Sequence, residues 1–217
     1  MSLSELGAPE FGSFEAVRIG HERNEVRSKS LLDAGDVLSV ADFTVAGPTD
    51  EEIIDTLETS AGGPFPQRLR QFYRELGGIS VAPEYSDYWI HLCSAQELFD
   101  GLMKRDRHYE KLYSLGLIDM IRYRWDNDRP EFDQLDQDLV ETINNRYKGI
   151  GWKLGTYFYF DEAGRFGSVY YHQDYFGELV NECLLPMSEA SPARFDFDAL
   201  LEKIFIADDS EFGDDIE

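Results

Sequence analysis

The segment PFPQRLRQFYRELGG, residues 64–78, carries the strongest secondary-structure pattern of this 217-residue chain. Four apolar residues recur in it at the spacing i, i+3, i+4 and i+7: Leu69, Phe72, Tyr73 and Leu76. This spacing places their side chains on one face of an α-helix, and Pro66 suits the first turn because no N–H donor is needed there. Gly77-Gly78 should end the helix, since glycine tolerates the left-handed backbone found at helix C-termini.

Capping patterns predict one helix before this segment and one after it. In Thr49-Asp50-Glu51-Glu52 a threonine precedes a glutamate by three residues, an arrangement that satisfies free N–H groups of a first helical turn. That helix should end at Gly62-Gly63-Pro64. Ser94-Ala95-Gln96-Glu97 repeats the pattern, and a strand at residues 85–93 should lead into it.

Aromatic and β-branched residues predict a β-hairpin late in the chain. The two runs are residues 156–160 and 167–172, and the turn-rich residues 161–164 separate them. Because the first run carries aromatic residues on both faces, we expect the hairpin to lie in the centre of a sheet. A helix should follow at residues 196–206, where apolar residues form a stripe.

Between the second capping pattern and the hairpin, apolar residues recur at the spacing of an α-helix. Residues 98–125 carry a long amphipathic pattern with a break near Gly116, and a second pattern runs from Asp133 to Tyr147. In the second pattern the apolar residues recur every four positions, so the opposite side should be exposed and acidic. The region 99–149 is therefore expected to be largely helical.

In their order along the chain, these elements resemble the SUKH superfamily, which includes the SMI/KNR-type regulators of yeast cell-wall assembly and bacterial toxin-immunity proteins. The resemblance begins at Pro48-Thr49-Asp50-Glu51-Glu52-Ile53-Ile54 and continues through the proline-led helix, its Gly-Gly end, the hairpin and the final helix. It implies an α+β domain with a mixed, mostly antiparallel sheet and helices packed around it. It also implies a binding scaffold rather than a catalyst.

We expect one such domain at residues 46–206, with the region 99–149 as a helical insertion. Residues 1–45 mix polar stretches with short β-like runs at 14–19 and 37–45, and we interpret them as an N-terminal extension. Residues 207–217 form an acidic tail that contains no basic residue. The sequence leaves open whether the extension packs on the domain.

The formal net charge is −23, from 43 acidic and 20 basic residues. Proteins that bind nucleic acid neutralise phosphates with basic clusters, so we expect no nucleic-acid partner. No run approaches the roughly 18 apolar residues of a membrane span, so we expect no membrane partner either. We predict a cytoplasmic protein, because we find no secretory signal and because Cys93 and Cys183 do not make a disulfide framework.

Patterns typical of catalysis or metal binding are absent from the sequence. The four histidines match no His-Glu-x-x-His spacing, and His91 and Cys93, which share one face of the predicted strand, lack an evident third ligand. The glycines near residue 150 form no phosphate-binding loop, and no nucleophile elbow is present. We therefore expect that the protein is not an enzyme and that it binds no cofactor and no metal. A pair of carboxylates that catalyses hydrolysis is an alternative that the sequence leaves open.

Two groups of residues are candidates for binding a partner. An acidic cluster would attract a basic protein by charge complementarity. Its members are Asp128, Glu131, Asp133, Asp136, Asp138 and Glu141. Tyrosines suit interfaces because a rigid ring with a polar tip loses little rotamer entropy. The candidates are Tyr157, Tyr159, Tyr170, Tyr171 and Tyr175. The alternatives are a solvated helix for the acids and core packing for the tyrosines.

Charge and resemblance together predict a non-enzymatic protein-binding module. We expect an immunity protein that binds and neutralises a cognate bacterial toxin, and the expected partner is a basic toxin domain such as a nuclease. The alternative is a housekeeping or regulatory scaffold related to the cell-wall assembly regulators, without a toxin partner. The identity of the partner and the oligomeric state are left open.

Overall fold

One antiparallel sheet forms the centre of the structure. The computed structural model describes residues 11–83, 90–104 and 110–207, and within these ranges six strands pair in their order along the chain. The strands are β1 (Ala41–Val45), β2 (Ile79–Pro83), β3 (Ile90–Leu92), β4 (Tyr147–Lys153), β5 (Thr156–Asp161) and β6 (Phe166–Tyr170). Every neighbouring pair among these strands is antiparallel, so the sheet is a simple meander.

Helices pack around the sheet, which confirms the predicted α+β class. They are α1 (Glu15–Asp33), α2 (Glu51–Ala61), α3 (Gln67–Glu75), α4 (Ala95–Met103), α5 (Leu117–Arg124), α6 (Gln137–Arg146), α7 (Phe176–Glu178), α8 (Leu185–Glu189) and α9 (Phe197–Phe205). A π-helical turn at Leu179–Leu184 joins α7 to α8, so residues 176–189 form one helical segment. Short 3₁₀ helices lie at Val37–Ser39, Pro130–Gln134 and Gln173–Tyr175.

Aromatic packing holds α1, α3 and α9 on one face of the sheet. The ring of Phe197 in α9 lies 5.4 Å from that of Phe72 in α3 and 5.0 Å from that of Phe166 in β6. Phe14, the N-cap residue of α1, lies 5.5 Å from Phe72 and 6.4 Å from Phe197. Each of the four side chains is at most 2% exposed. A single cluster therefore joins three helices to the last strand.

Tyrosine hydroxyls connect the sheet to the helices on the opposite face. The Tyr157 hydroxyl in β5 accepts a hydrogen bond from Nε1 of Trp125, the residue after α5, at 2.8 Å. The Tyr147 hydroxyl in β4 donates to the carbonyl oxygen of Met187 in α8 at 2.7 Å. Both tyrosine hydroxyls thus have a hydrogen-bond partner inside an otherwise apolar layer.

Residues 11–45 pack against the rest of the chain. α1 lies along α9 so closely that a Cβ on Gly20 would be 2.8 Å from the Phe205 ring, and β1 pairs with β2 over its whole length. The β-like run predicted at residues 14–19 is wrong, because these residues begin α1. Ion pairs at helical spacing between Arg18 and two glutamates favour the helix there.

The helices predicted around the Gly-Gly turn are present. α3 is confirmed with the apolar face that its spacing predicts. α2 follows the first capping pattern, but Asp50 is its N-cap residue and no side chain caps it. The Ser94 hydroxyl accepts the Glu97 N–H at 3.0 Å, so that half of the second capping box is formed. The strand predicted at residues 85–93 is observed as β3, and the part at 85–89 lies outside the described residues.

The region 99–149 contains helices and the start of a strand. α5 and α6 lie in it, but Tyr147 begins β4 instead of ending a helix. The sequence did not predict β4, because Gly149 and Gly151 interrupt its apolar pattern. Close neighbours require both glycines, since a Cβ on Gly151 would lie 2.1 Å from the His91 carbonyl oxygen and a Cβ on Gly149 would lie 2.6 Å from Cβ of Met120. The register between β4 and β5 shifts between the two glycines.

The predicted hairpin is confirmed as β5 and β6, but its expected central position is wrong. β6 is the last strand of the sheet, and an isolated bridge joins Phe166 to Phe195 beyond it. β5 is buried along its whole length, with Trp125 after α5 packed on one face and Phe65 before α3 packed on the other. Its aromatic residues therefore indicate burial between layers and not a central strand. The final helix is confirmed as α9, and the acidic tail at 208–217 lies outside the described residues.

Two glycines after helices give a matched test of this packing. Gly62 after α2 and Gly77 after α3 both have positive φ, 83° and 73°. A Cβ on Gly62 would meet nothing within 4 Å, whereas a Cβ on Gly77 would lie 1.9 Å from the Gly47 carbonyl oxygen. We expect Gly62→Ala to lower the free energy of unfolding by about 1–2 kcal/mol, and Gly77→Ala by roughly twice as much. Urea unfolding measures both losses, and equal losses would contradict the close approach.

Candidate functional site

The acidic cluster predicted for partner binding lies on the 3₁₀ helix at Pro130–Gln134, on α6 and in the loop before them. All of its members except Glu131 are exposed. Two of them also stabilise the fold. Asp136 caps α6 by accepting two backbone N–H groups at 2.8 and 3.2 Å, and Asp133 forms a 2.8 Å ion pair with Arg122 of α5. The remaining exposed acids are Asp128, Asp138 and Glu141.

Three of the five tyrosines predicted for partner binding are buried, and that part of the prediction is corrected. Tyr157, Tyr159 and Tyr171 are 0%, 1% and 3% exposed, so their rings are not available to a partner in this conformation. Burial raises the pKa of all three hydroxyls. The Tyr171 hydroxyl also donates to Glu131, so this acid belongs to the packing of the 3₁₀ helix on the sheet.

The other two tyrosines lie on the surface. Tyr170 at the end of β6 is 43% exposed, and Tyr175 in the 3₁₀ helix before α7 is 52% exposed. Leu185, the first residue of α8, is a further exposed apolar side chain at 45%. Large side chains of this kind carry much of the affinity of an interface when a partner buries them.

A second acidic segment, which the sequence analysis did not single out, packs against the first. Residues 166–193 contain no lysine or arginine, and neither do residues 130–145. The two segments meet where the ring of Phe132 lies 5.2 Å from that of Tyr171 and 5.1 Å from that of Phe176. Two stretches without lysine or arginine therefore pack against each other.

The exposed carboxylates of these two segments form what we call the acidic surface. Its members are Asp133, Asp136, Asp138, Glu141, Asp174, Glu178, Glu182 and Glu189. At the joint between α6 and α8, Arg146 donates to the carbonyl oxygens of Met187 and Ser188 at 3.2 and 3.0 Å. The guanidinium of Arg146 is thus engaged with the backbone, and it fixes the two acidic helices beside each other.

A cleft of about 400 Å³ forms a second candidate site, with side chains from β3, β4, α4 and α5 on its walls. At its inner end Nε2 of His91 lies 2.8 Å from Oε2 of Glu97, and Nδ1 of His91 lies 2.8 Å from the hydroxyl oxygen of Ser80. The Trp152 ring lies 4.6 Å from the imidazole. In Ser-His-Asp triads the hydroxyl is on Nε2 and the carboxylate on Nδ1, which is the reverse of this arrangement.

Glu97 also supplies the third potential metal ligand that the sequence did not reveal. One ligand atom each from His91, Cys93 and Glu97 lies within 4.8 Å of the other two. Burial raises the pKa of the Cys93 thiol well above its usual value, so the thiol is protonated when no metal is bound. The only sequence signal was the short spacing across a strand-to-helix connection, which by itself does not establish proximity.

Comparison with known proteins does not assign the chain to a family. No protein-family model matches it, and no curated protein matches it. In the part of the chain that the structure describes, no helix has the length and apolar character needed to cross a membrane. The acidic surface and the cleft are the two candidate sites among the described residues.

Proposed function

We propose that the protein is a non-enzymatic, cytoplasmic binding module for a basic protein partner, and that it acts as an immunity protein that neutralises a cognate bacterial toxin. The acidic surface is the observation that carries this proposal. Its eight carboxylates lie on two packed segments that contain no lysine or arginine. Such a surface attracts a cationic partner, accelerates encounter and disfavours acidic competitors.

The charge pattern of the acidic surface differs from that of α2. On α2, three acids converge on Arg70 of α3, whose guanidinium lies 2.6 Å from Glu51, 2.7 Å from Asp55 and 2.5 Å from Glu58. Those acids are paired with a base within the fold. On the acidic surface, Asp133 pairs with Arg122 of α5, while residues 137–145 and 176–189 contribute carboxylates from segments without lysine or arginine. A basic partner would supply the compensating charge.

Exposed apolar side chains near these carboxylates would provide contact energy. Tyr175 precedes α7 and Leu185 begins α8, so both belong to the segment that carries four of the acids. Interfaces draw most of their affinity from a few large side chains that become buried, while surrounding charges set specificity and association rate. The proposed interface thus combines exposed apolar side chains with carboxylates on the same segment.

The resemblance to the SUKH superfamily suggests that the partner is a toxin, and the negative charge of this protein suggests that the partner is basic. A nuclease domain fits both, because its substrate site must carry cationic residues that bind phosphates. Carboxylates on a preformed surface can bind the same cationic residues of the nuclease through charge-assisted hydrogen bonds. Neutralisation then requires only that the partner's site be covered, and it requires no chemistry from this chain.

Affinity capture with three full-length baits tests the proposal. The first bait is the wild-type protein. The surface variant carries Asp138→Asn, Glu141→Gln, Glu178→Gln and Glu182→Gln. The control variant carries Asp33→Asn, Asp36→Asn, Glu52→Gln and Glu202→Gln, which are exposed positions outside the acidic surface. Both variants have the same net charge, so only the position of the neutralised carboxylates differs.

We expect the wild type and the control variant to retain one basic protein from the cells that produce this chain, and the surface variant to lose it. That protein should arrest growth when produced alone and not when produced with the wild type. A retained basic protein without toxicity would support the binding module and refute the immunity role. Equal retention by all three baits, or no basic protein on the wild type, would refute the acidic surface as the site.

A further inference from the structure

Three side chains with different donor atoms meet where β3 connects to α4. His91 and Cys93 lie two residues apart, which places both on one face of an extended chain, and the Cys93 N–H continues the pairing with β4 by donating to the Ile150 carbonyl oxygen at 3.0 Å. Glu97 lies in the first turn of α4, three residues after the N-cap residue Ser94. The tight connection therefore turns the helix start back over the strand.

The distances among these donors are close to those of a zinc site. Zinc binds thiolate at about 2.3 Å, imidazole at about 2.0–2.1 Å and carboxylate at about 2.0–2.2 Å, so tetrahedral ligand atoms are roughly 3.3–3.8 Å apart. In this structure the three donor atoms lie within 4.8 Å of one another. Nε2 of His91 and Oε2 of Glu97 are 2.8 Å apart. Small side-chain rotations would bring all three donors to bonding distance.

The surroundings supply what a bound metal ion requires. Ser80 contacts Nδ1 of His91, which fixes the imidazole ring with Nε2 directed at the cluster, as partners of metal-binding histidines do. The Tyr123 hydroxyl lies 3.4 Å from the second oxygen of Glu97. Cys93 is fully buried, His91 is 7% exposed, and both His91 and Glu97 line the cleft, which gives an entry path from solvent.

We propose that His91, Cys93 and Glu97 bind one zinc ion at the inner end of the cleft, with a water molecule in the fourth position on the cleft side. A thiolate, an imidazole and a carboxylate together suit zinc better than calcium or magnesium, which take oxygen ligands. Cys93 loses its proton to solvent when the zinc–sulfur bond forms. The bound ion connects β3 to α4, and the site is separate from the acidic surface.

Cobalt(II) is the probe that tests this site, because thiolate coordination gives Co²⁺ an intense near-ultraviolet charge-transfer band. Exposed carboxylates of so acidic a chain can also bind cations weakly, but they cannot produce that band. The titration uses untagged full-length protein, with Zn²⁺ added afterwards to displace Co²⁺. The ligand variants are His91→Gln, Cys93→Ser and Glu97→Gln. The matched controls are Cys183→Ser and His172→Gln.

We expect the wild type to bind one equivalent of Co²⁺ with a thiolate band that Zn²⁺ abolishes, and we expect both control variants to do the same. Each ligand variant should bind at least about 100-fold more weakly. Circular dichroism checks folding, and the isosteric Glu97→Gln change decides the result if Cys93→Ser does not fold. A wild-type protein without the thiolate band, or a band that persists in Cys93→Ser and disappears in Cys183→Ser, would overturn the proposal.

Discussion

Replacing Phe197 by alanine is expected to lower the free energy of unfolding by about 3–5 kcal/mol. The side chain is 2% exposed, and its ring contacts the rings of Phe72 and Phe166 at 5.4 and 5.0 Å. Removing it leaves a cavity between α9, α3 and β6 that the surrounding rings cannot fill without leaving their own contacts. Equilibrium unfolding in urea, followed by circular dichroism, measures the loss.

The same cluster shows whether α1 unfolds together with the rest of the chain. Phe14 lies 6.4 Å from Phe197, so the pair Phe14→Ala and Phe197→Ala should be non-additive, with a coupling of roughly 0.5–1.5 kcal/mol. Val26 of α1 is 72% exposed, and Val26→Ala should change stability by less than about 0.5 kcal/mol. A Phe197→Ala loss no larger than that of Val26→Ala would contradict the described core.

Neutralising four carboxylates of the acidic surface is expected to slow association with the captured partner about tenfold at low salt. The surface variant neutralises only exposed carboxylates, and it leaves the helix cap Asp136 in place. Its changes are Asp138→Asn, Glu141→Gln, Glu178→Gln and Glu182→Gln. Long-range attraction acts before contact, so the association rate should fall more than the dissociation rate rises. Surface plasmon resonance with the purified partner separates the two rates.

The control variant with Asp33→Asn, Asp36→Asn, Glu52→Gln and Glu202→Gln shows whether position or total charge matters. It has the same net charge as the surface variant, and we expect its association rate to stay within about twofold of the wild-type rate. Thermal unfolding should be similar for the wild type and both variants. Equal slowing in the two variants would mean that the overall charge steers the partner, which contradicts a localised binding surface.

Elements whose signals are local could be predicted from the sequence. The apolar spacing from Leu69 to Leu76 and the proline before it specify α3 without reference to distant residues. The aromatic runs of the hairpin and the stripe of α9 do the same. The position of the hairpin could not be predicted, because burial of β5 by helices on both faces gives the same residue pattern as a central strand.

Elements shaped by distant contacts were missed. β4 carries glycines because neighbouring backbone and side chains approach it closely, and this makes its pattern unlike that of a strand. In residues 176–189 the π-helical turn interrupts the helical period, so this segment, which carries three of the eight acids of the acidic surface, was not predicted. The start of α1 was interpreted as a short β-like run at residues 14–19, because apolar residues are few in the rest of the helix and its contact with α9 is invisible in the sequence.

The candidate sites also differ in whether their signals are local in the sequence or depend on distant contacts. The cluster from Asp128 to Glu141 is contiguous, so it could be proposed from sequence, whereas its continuation on residues 174–189 depends on the packing of Phe132 against Phe176. Tyr157 and Tyr171 were candidates for partner binding with core packing as the alternative, since a tyrosine pattern does not distinguish an interface from a core with satisfied hydroxyls. The approach of Glu97 to His91 depends on how α4 turns back over β3.

The salt dependence of association tests the central claim most directly, which is that charge on the acidic surface recruits a basic partner. Association rates of the wild type, the surface variant and the control variant are measured with the captured partner at about 0.05–0.5 M NaCl, a range over which the Debye length falls severalfold. We predict steep, matching decreases for the wild type and the control variant, and a shallow one for the surface variant. The same slope for all three proteins would contradict the claim.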